Sequence, residues 1–256
     1  MGSQVGGIVR HANDRDMKSI EQWLLEAERA GVESLRPNWN LTQRVYAEEG
    51  DVRVYVEEGS GQPVAYCWGT LNTTDSILDV KPSHRGMGIG RSFVKLLLDE
   101  SIAQREPLLL FTCAPESSEG FWVRMGFTTQ RYDSQIWASR VLNIQNEVPE
   151  TGVPRDLFVR FMDDAGVYRA APALAEYALR GAEDEFGKIH LPQTVACFSP
   201  LGDSDLHVEI SVVLNDKLTL LHKGKCKYDE ARELGIEECQ NGFRITQIHN
   251  ESIGGC

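Results

Sequence analysis

The chain has 256 residues, 41% hydrophobic and 25% charged, a length with room for two domains and a composition ordinary for a soluble protein. A net charge of −12 argues against nucleic acid as a partner and suits cationic molecules such as polyamines, aminoglycosides, amino sugars or lysine-rich tails. No apolar run is long enough to span a membrane, and Met1-Gly2-Ser3-Gln4-Val5-Gly6 reads as neither a signal peptide nor a myristoylation site, so no membrane partner is expected. The six cysteines are scattered with no C-x-x-C pair and read as reduced, so the expected location is cytoplasmic.

Residues 8–11 read as a first strand, followed by a helix with Asp14 or Asp16 at its N-cap and apolar Ile20, Trp23, Leu24 and Ala27 at helical spacing. Residues 52–56 and 63–69 read as strands joined by a hairpin turn at Gly59-Ser60-Gly61-Gln62. Then comes the most informative segment. A strand, Ser76-Ile77-Leu78-Asp79-Val80, leads into His84-Arg85-Gly86-Met87-Gly88-Ile89-Gly90-Arg91 and on into an apolar helix toward Ile102. Glycines let the backbone turn tightly and approach a ligand without a Cβ in the way. The unpaired N–H groups of the first helical turn favour an anion, and Arg85 and Arg91 add positive charge at the two ends. The segment is therefore read as a pyrophosphate cradle. It does not fit G-x-x-x-x-G-K-[ST], and its glycines are too closely spaced for a dinucleotide fingerprint.

Further on, the strand Leu108-Leu109-Leu110-Phe111-Thr112 precedes Glu119-Gly120-Phe121-Trp122-Val123-Arg124-Met125-Gly126-Phe127, a helix capped by a glycine and followed by the start of a strand. Residues 127–132 and 135–142 complete a last strand pair. The order of strand, R-x-x-G-x-G loop, helix, strand, helix and Gly-Phe resembles the GNAT superfamily of N-acyltransferases over roughly residues 5–142. The resemblance implies an α/β (α+β) fold with a mixed central sheet flanked by helices, in which the fourth strand splays from the fifth. It implies acetyl-CoA as cosubstrate, its pantetheine arm held by the backbone from Leu78 to Val80. The pyrophosphate would be held by the loop of Arg85, Gly86, Met87, Gly88, Ile89, Gly90 and Arg91, with Cys113 and Phe121 completing the donor-binding set. It also implies direct attack by a primary amine of a small molecule or a protein, with the chain positioning both reactants.

Two further roles are needed, a proton acceptor for the amine and a donor for the leaving thiolate. Asp79 and Asp75 are the nearest carboxylates for the first, ahead of Glu116 and Glu119. Where the family commonly has a tyrosine as thiolate donor, this chain has Trp122, whose indole N–H is no acid at neutral pH. Tyr66, Cys113 or a water is left for that task, or else the protein is a non-catalytic acyl-CoA sensor acting through its C-terminal domain. The acceptor would meet the first helix pair, with Trp23, Trp39 and Tyr46, and the loop before the Gly-Phe helix.

The sequence organises as an acyl-CoA-binding domain over 1–142, a polar, proline-bearing linker over 143–154 and a smaller α+β domain over 155–256. In the last of these, 157–161 reads as a strand, 170–186 as a helix and 207–212 with 217–221 as a hairpin about Asn215-Asp216. Residues 229–234 read as a short helix ending at Gly235, and 243–248 as a strand, an order consistent with a ferredoxin-like layer pair that a further strand over 194–198 would spoil. A degenerate second acyltransferase repeat is the alternative, although nothing there resembles the phosphate loop. Glu183-Asp184-Glu185 is then oddly placed, since carboxylates are unfavourable at a helix C-terminus. His190, His207, His222 and His249 read as scattered rather than as a metal site. The C-terminal domain would close over the acceptor groove, form a homodimer or bind a separate partner.

Overall fold

The computed structural model describes residues 6–72, 76–200 and 202–249. In chain order the elements are β1 (Gly7–His11), α1 (Asp14–Arg29), α2 (Trp39–Glu48), β2 (Arg53–Glu57), β3 (Pro63–Trp68), β4 (Ile77–Val80), α3 (Ile89–Ala103), β5 (Leu108–Thr112), α4 (Glu119–Arg124), β6 (Thr128–Tyr132) and β7 (Gln135–Val141). They continue as β8 (Val153–Met162), α5 (Asp164–Arg169), β9 (Ala175–Glu183), β10 (Lys188–Phe198), β11 (His207–Leu214), β12 (Lys217–Lys225), α6 (Asp229–Glu233), β13 (Ile236–Cys239) and β14 (Gly242–His249). The class is α+β, as read from the sequence. The chain divides into two compact units, residues up to 103 with 120–126, and 104–119 with residues from 127 on.

The first unit is an antiparallel sheet in the order β1-β2-β3-β4. β3 is buried along its whole length, because α1 and α2 cover one face and α3 the other. Tyr66 and Trp68 pack with Trp23, Leu24 and Trp39 of the first helix pair, whereas Ala65 and Cys67 pack with Ile89 and Phe93 of α3. The same alternation puts Ile77 with the α1/α2 cluster and Leu78 and Val80 with α3. The N-cap of α1 is Asn13, not Asp14 or Asp16. Its side chain accepts from the amides of Arg15 and Asp16, and the Asp16 carboxylate returns to the Asn13 amide, a reciprocal capping box. Asp16 is buried and paired with Arg10, which makes it a better N3 partner than a cap.

In the second unit β5, β7 and β6 form a three-stranded sheet, and a seven-stranded sheet runs β12-β11-β8-β9-β10-β14-β13. All ladders between described strands are antiparallel, so the expected mixed sheet is replaced by antiparallel ones, with β4 and β5 each ending a different sheet. Asn215 and Asp216 both take positive φ, as a two-residue hairpin turn requires, and Gly235 follows α6 at φ +101°.

The helix expected over 170–186 is a strand. Its inward positions, Ala175, Tyr177 and Leu179, pack on the core, and its outward charges pair across the ladder, Glu176 with Arg160 and Arg180 with Asp156. Alanine content and clustered apolar residues mimic a helix here, and cross-strand packing overrides that preference. The acidic run is the hairpin between β9 and β10. Glu183 is buried against Arg155, and the Asp184 carboxylate accepts from the amides of Phe186 and Lys188. The ferredoxin-like order falls with the helix.

Gly181 separates the two assignments. In a helix, Gly181→Ala would gain about 1 kcal/mol. In β9 a Cβ would stand 2.7 Å from Ile189 Cγ2 and 2.8 Å from the His190 carbonyl, so the variant is expected to lose roughly 1–3 kcal/mol in chemical denaturation.

Candidate functional site

The cradle begins where β4 ends. Lys81 donates its amide to Val64 O at 2.8 Å, which closes the ladder to β3. By antiparallel alternation, Ile77, Asp79 and Lys81 turn their backbone groups toward β3, while Leu78 and Val80 turn theirs away from it. β4 is the terminal strand of its sheet. The Val80 carbonyl is taken by Arg85 Nε at 2.9 Å, which leaves the outward pair on Leu78 as the one facing an edge that no strand of this sheet covers.

A single turn of tight helix, Pro82–His84, carries the chain out of the strand, and Gly86 and Gly88 take φ of +80° and +87°. A Cβ on either would meet nothing within 4 Å, so the conformation demands glycine while the space beside it is open. The first helical bond of α3 is Ser92 N to Gly88 O. The amides of Ile89, Gly90 and Arg91 therefore precede any intrahelical acceptor and carry the positive end of the helix dipole. Gly90 serves packing instead. A Cβ there would stand 3.2 Å from Phe121 of α4 and 3.8 Å from Val80. Phe121 thus seats the start of α3, and the neighbouring Trp122 ring lies 5.0 Å from it, tilted edge to face. Met87 is exposed on the loop and Ile89 is buried beneath it.

Arg91 and Lys95 are exposed and share one face of α3. From Lys81 to Lys95 the chain carries four Lys and Arg side chains, and no Asp or Glu stands between Asp79 and Asp99. This local basic island in a chain of net charge −12 was a signal in the sequence that the motif reading passed over.

Arg85 does more than add charge. Besides Val80 O, its guanidinium donates to Glu33 O at 2.7 Å and to Asp79 Oδ1 at 3.2 Å, while the Leu35 amide donates to Asp79 Oδ2 at 2.9 Å. Asp79 is buried beside Tyr66, its direct ladder partner. Burial pushes its carboxyl above the usual carboxylate range, against the Leu35 amide and the Arg85 charge, which hold it down. Glu33 and Leu35, in the connection after α1, were not singled out from the sequence, and no motif marks a backbone amide as a carboxylate's partner.

Tyr66 is enclosed, with its ring 6.0 Å from Trp23 and 5.9 Å from Trp39. Burial, and then the Asp79 charge, push its hydroxyl far up, so it stays protonated. Thr42 is nearby, but its Oγ1 already accepts from Trp68 Nε1 and donates to Asn38 O, and Tyr66 makes no hydrogen bond of good geometry. Trp23 Nε1 and Trp39 Nε1 are likewise buried without a partner. These tryptophans are core residues of the α1/α2 face, and Tyr46 donates to Asp14 at 2.8 Å. Cys113 belongs to the second unit, just after β5. It is buried, and burial together with Glu119 pushes its thiol up to about 11. Asp75 lies outside the described residues.

No protein-family model and no curated protein matches the chain. Its fold is similar to solved acetyltransferases. One, of the GNAT family from Listeria monocytogenes 4b F2365, is 15% identical with a TM-score of 0.42, over 56% of this chain and 98% of that one. The PaiA N-acetyltransferase from Thermoplasma acidophilum, in complex with coenzyme A, is 13% identical with a TM-score of 0.41, over 54% and 99%. A GNAT superfamily phosphinothricin acetyltransferase from Sinorhizobium meliloti, in complex with AcCoA, is 18% identical with a TM-score of 0.41, over 53% and 88%.

A carboxyl whose folded value is raised contributes stability at pH below the unfolded Asp range of about 4, and that contribution is lost as pH rises through the folded value. The chain is therefore expected to lose stability over that window relative to Asp79→Asn. Arg85→Gln should raise the Asp79 midpoint further, as read by carboxyl carbon NMR.

Proposed function

We propose that the chain is an N-acyltransferase that moves the acyl group of acetyl-CoA to a primary amine. The observation that carries this reading is the loop at the end of β4, where two glycines at positive φ border open space and lead into the unpaired amides at the start of α3. Those residues fit a pyrophosphate. The amides of Ile89, Gly90 and Arg91 would bind it, with Arg91 and Lys95 adding charge from the same helix face. Leu78 offers an N–H and a C=O to an extended arm, as an added strand would use them. Acetyl-CoA supplies a thioester-activated acyl group when bound.

Asp79 suits the role of proton acceptor. It stands next to the Leu78 backbone, on the face of the sheet covered by α1 and α2, and its raised carboxyl range moves it toward the value a base needs near neutral pH. Trp122 cannot release a proton to the departing thiolate, and burial holds the Tyr66 hydroxyl far above a thiol's range, which favours a water for that step.

The test is calorimetric titration of the chain and of Gly88→Glu with acetyl-CoA, alongside thiol release against a panel of amines. A carboxylate placed in the anion loop is expected to weaken binding by about a hundredfold or more. Asp79→Asn is expected to keep binding and lose most of the amine-dependent release. Binding with no release from any amine would favour a sensor, and equal binding by Gly88→Glu would remove the cradle.

A further inference from the structure

A β-bulge in β12 aims a histidine at a cavity outside the cradle. His222 pairs with Ile210, but the next pair along the ladder is Leu220 with Ser211, so Leu221 is an extra residue. Side chains alternate along a strand, and without the bulge Leu218, Leu220, His222 and Gly224 would share one face. With it, Leu218 and Leu220 stand opposite Val213 and Ser211, while His222 and Gly224 stand opposite Ile210 and Val208, whose side chains belong to the core. Bulges commonly re-aim a side chain beside a site.

The histidine is also seated. A Cβ on Gly224 would lie 3.1 Å from His222 Nε2 and 3.2 Å from its Cε1, so the imidazole rests over backbone that only glycine leaves clear. Its Nε2 is buried and has no hydrogen-bond partner. Burial lowers the ring's pKa, opposed by the charge of Glu230, so at neutral pH the ring is uncharged and offers one hydrogen-bonding group at Nε2.

The cavity this ring lines measures about 540 Å³, within the range of small-molecule sites. Met162 and the phenol rings of Tyr168 and Tyr228 supply apolar and aromatic wall. Both tyrosines are exposed, 72% and 50%, so ring surface remains open to solvent at the cavity. Tyr168 stands edge-on to His207 at 6.1 Å, and His207 is itself tied to Asp164 at 2.8 Å. Lys225 lies over the Tyr228 ring at 5.8 Å and is bonded to Asp205, and Lys223 is paired with Glu209. Lys225 shares Asp205 with Lys227, and Glu230 also lines the cavity, so the charges around it are close to balanced. Flat aromatic wall, no net charge and one unmet hydrogen-bonding group select a planar, uncharged ring with a polar edge.

We propose that this cavity binds a planar heteroaromatic molecule of about nucleoside size, its ring against Tyr168 and Tyr228 and its polar edge at His222 Nε2. The proposal does not rest on the acyl-transfer reading. It is tested on the full chain by following the His222 ring nitrogens by NMR during titration with adenosine, cytidine or indole, with glucose as a non-planar control. At least one planar probe is expected to shift the His222 signals saturably, with a dissociation constant of about 1 mM or lower. Tyr168→Ala and Tyr228→Ala, both at exposed positions, are each expected to weaken that binding by about tenfold. His222→Gln should retain it and His222→Leu lose it. Because adenosine is also a fragment of coenzyme A, Gly88→Glu serves as control and should leave the His222 shift intact. No saturable shift with any planar probe up to about 5 mM, an equal shift with glucose, or unchanged binding in both tyrosine variants would overturn the proposal.

Discussion

A carboxylate cannot be buried against an apolar sheet unless other groups take up its charge. Asp79 meets that constraint through the Leu35 amide and Arg85, and in doing so ties together three separate pieces of chain. The connection after α1 is pinned through Glu33 and Leu35, the end of β4 through Val80 O, and the glycine loop through Arg85 itself. The loop's orientation at the strand end is therefore held by a charge on the opposite side of the sheet from α3. Were Asp79 a leucine, the α1/α2 face would pack at least as well, but the arginine would lose the anchor that sets where the loop starts.

The charge distribution follows the same economy. An acidic chain repels phosphates at long range, so any anion site must be built locally, from oriented amides and a few cations kept clear of carboxylates. Arg91 and Lys95, with no Asp or Glu between Asp79 and Asp99 in the chain, have that character, whereas Arg85 is paired with Asp79, and opposite charges elsewhere pair across strands, as Arg160 with Glu176 and Arg155 with Glu183. The acidic remainder is compatible with a positively charged acceptor.

The parts legible in sequence are those where a single residue type answers a backbone demand. Gly86 and Gly88 have the positive φ their spacing implied, Gly126 ends α4 at φ +83°, and Asn215-Asp216 makes the hairpin. What was not legible depends on partners distant in sequence. The stretch 175–183 carries helical composition, and only Arg160, Asp156 and Ile189, on other strands, make it a strand. Trp23 and Trp39 looked like an acceptor surface, because spacing tells which helix face is apolar but not how deeply it will be covered. Arg85 reads as an anion ligand by its place in the motif, yet three of its hydrogen bonds go to the fold, a role set by where Glu33 and Asp79 come to lie.

The contact between Gly90 and Phe121 has a consequence for how the chain is made. The unit that holds the cradle takes its last piece, α4, from residues 120–126, after sixteen residues that belong to the other unit. A ribosome that has delivered α3 has not yet delivered the side chain that seats it, and synthesis at about 5–20 residues per second leaves the helix start waiting about a second or more. The chain cannot be cut after Ala103 to yield an intact first unit. Any shortened version meant to keep the loop in place has to run through Gly126, carrying β5 with it as an unpaired edge unless β7 follows. The two units are thus interlaced in the order of their synthesis.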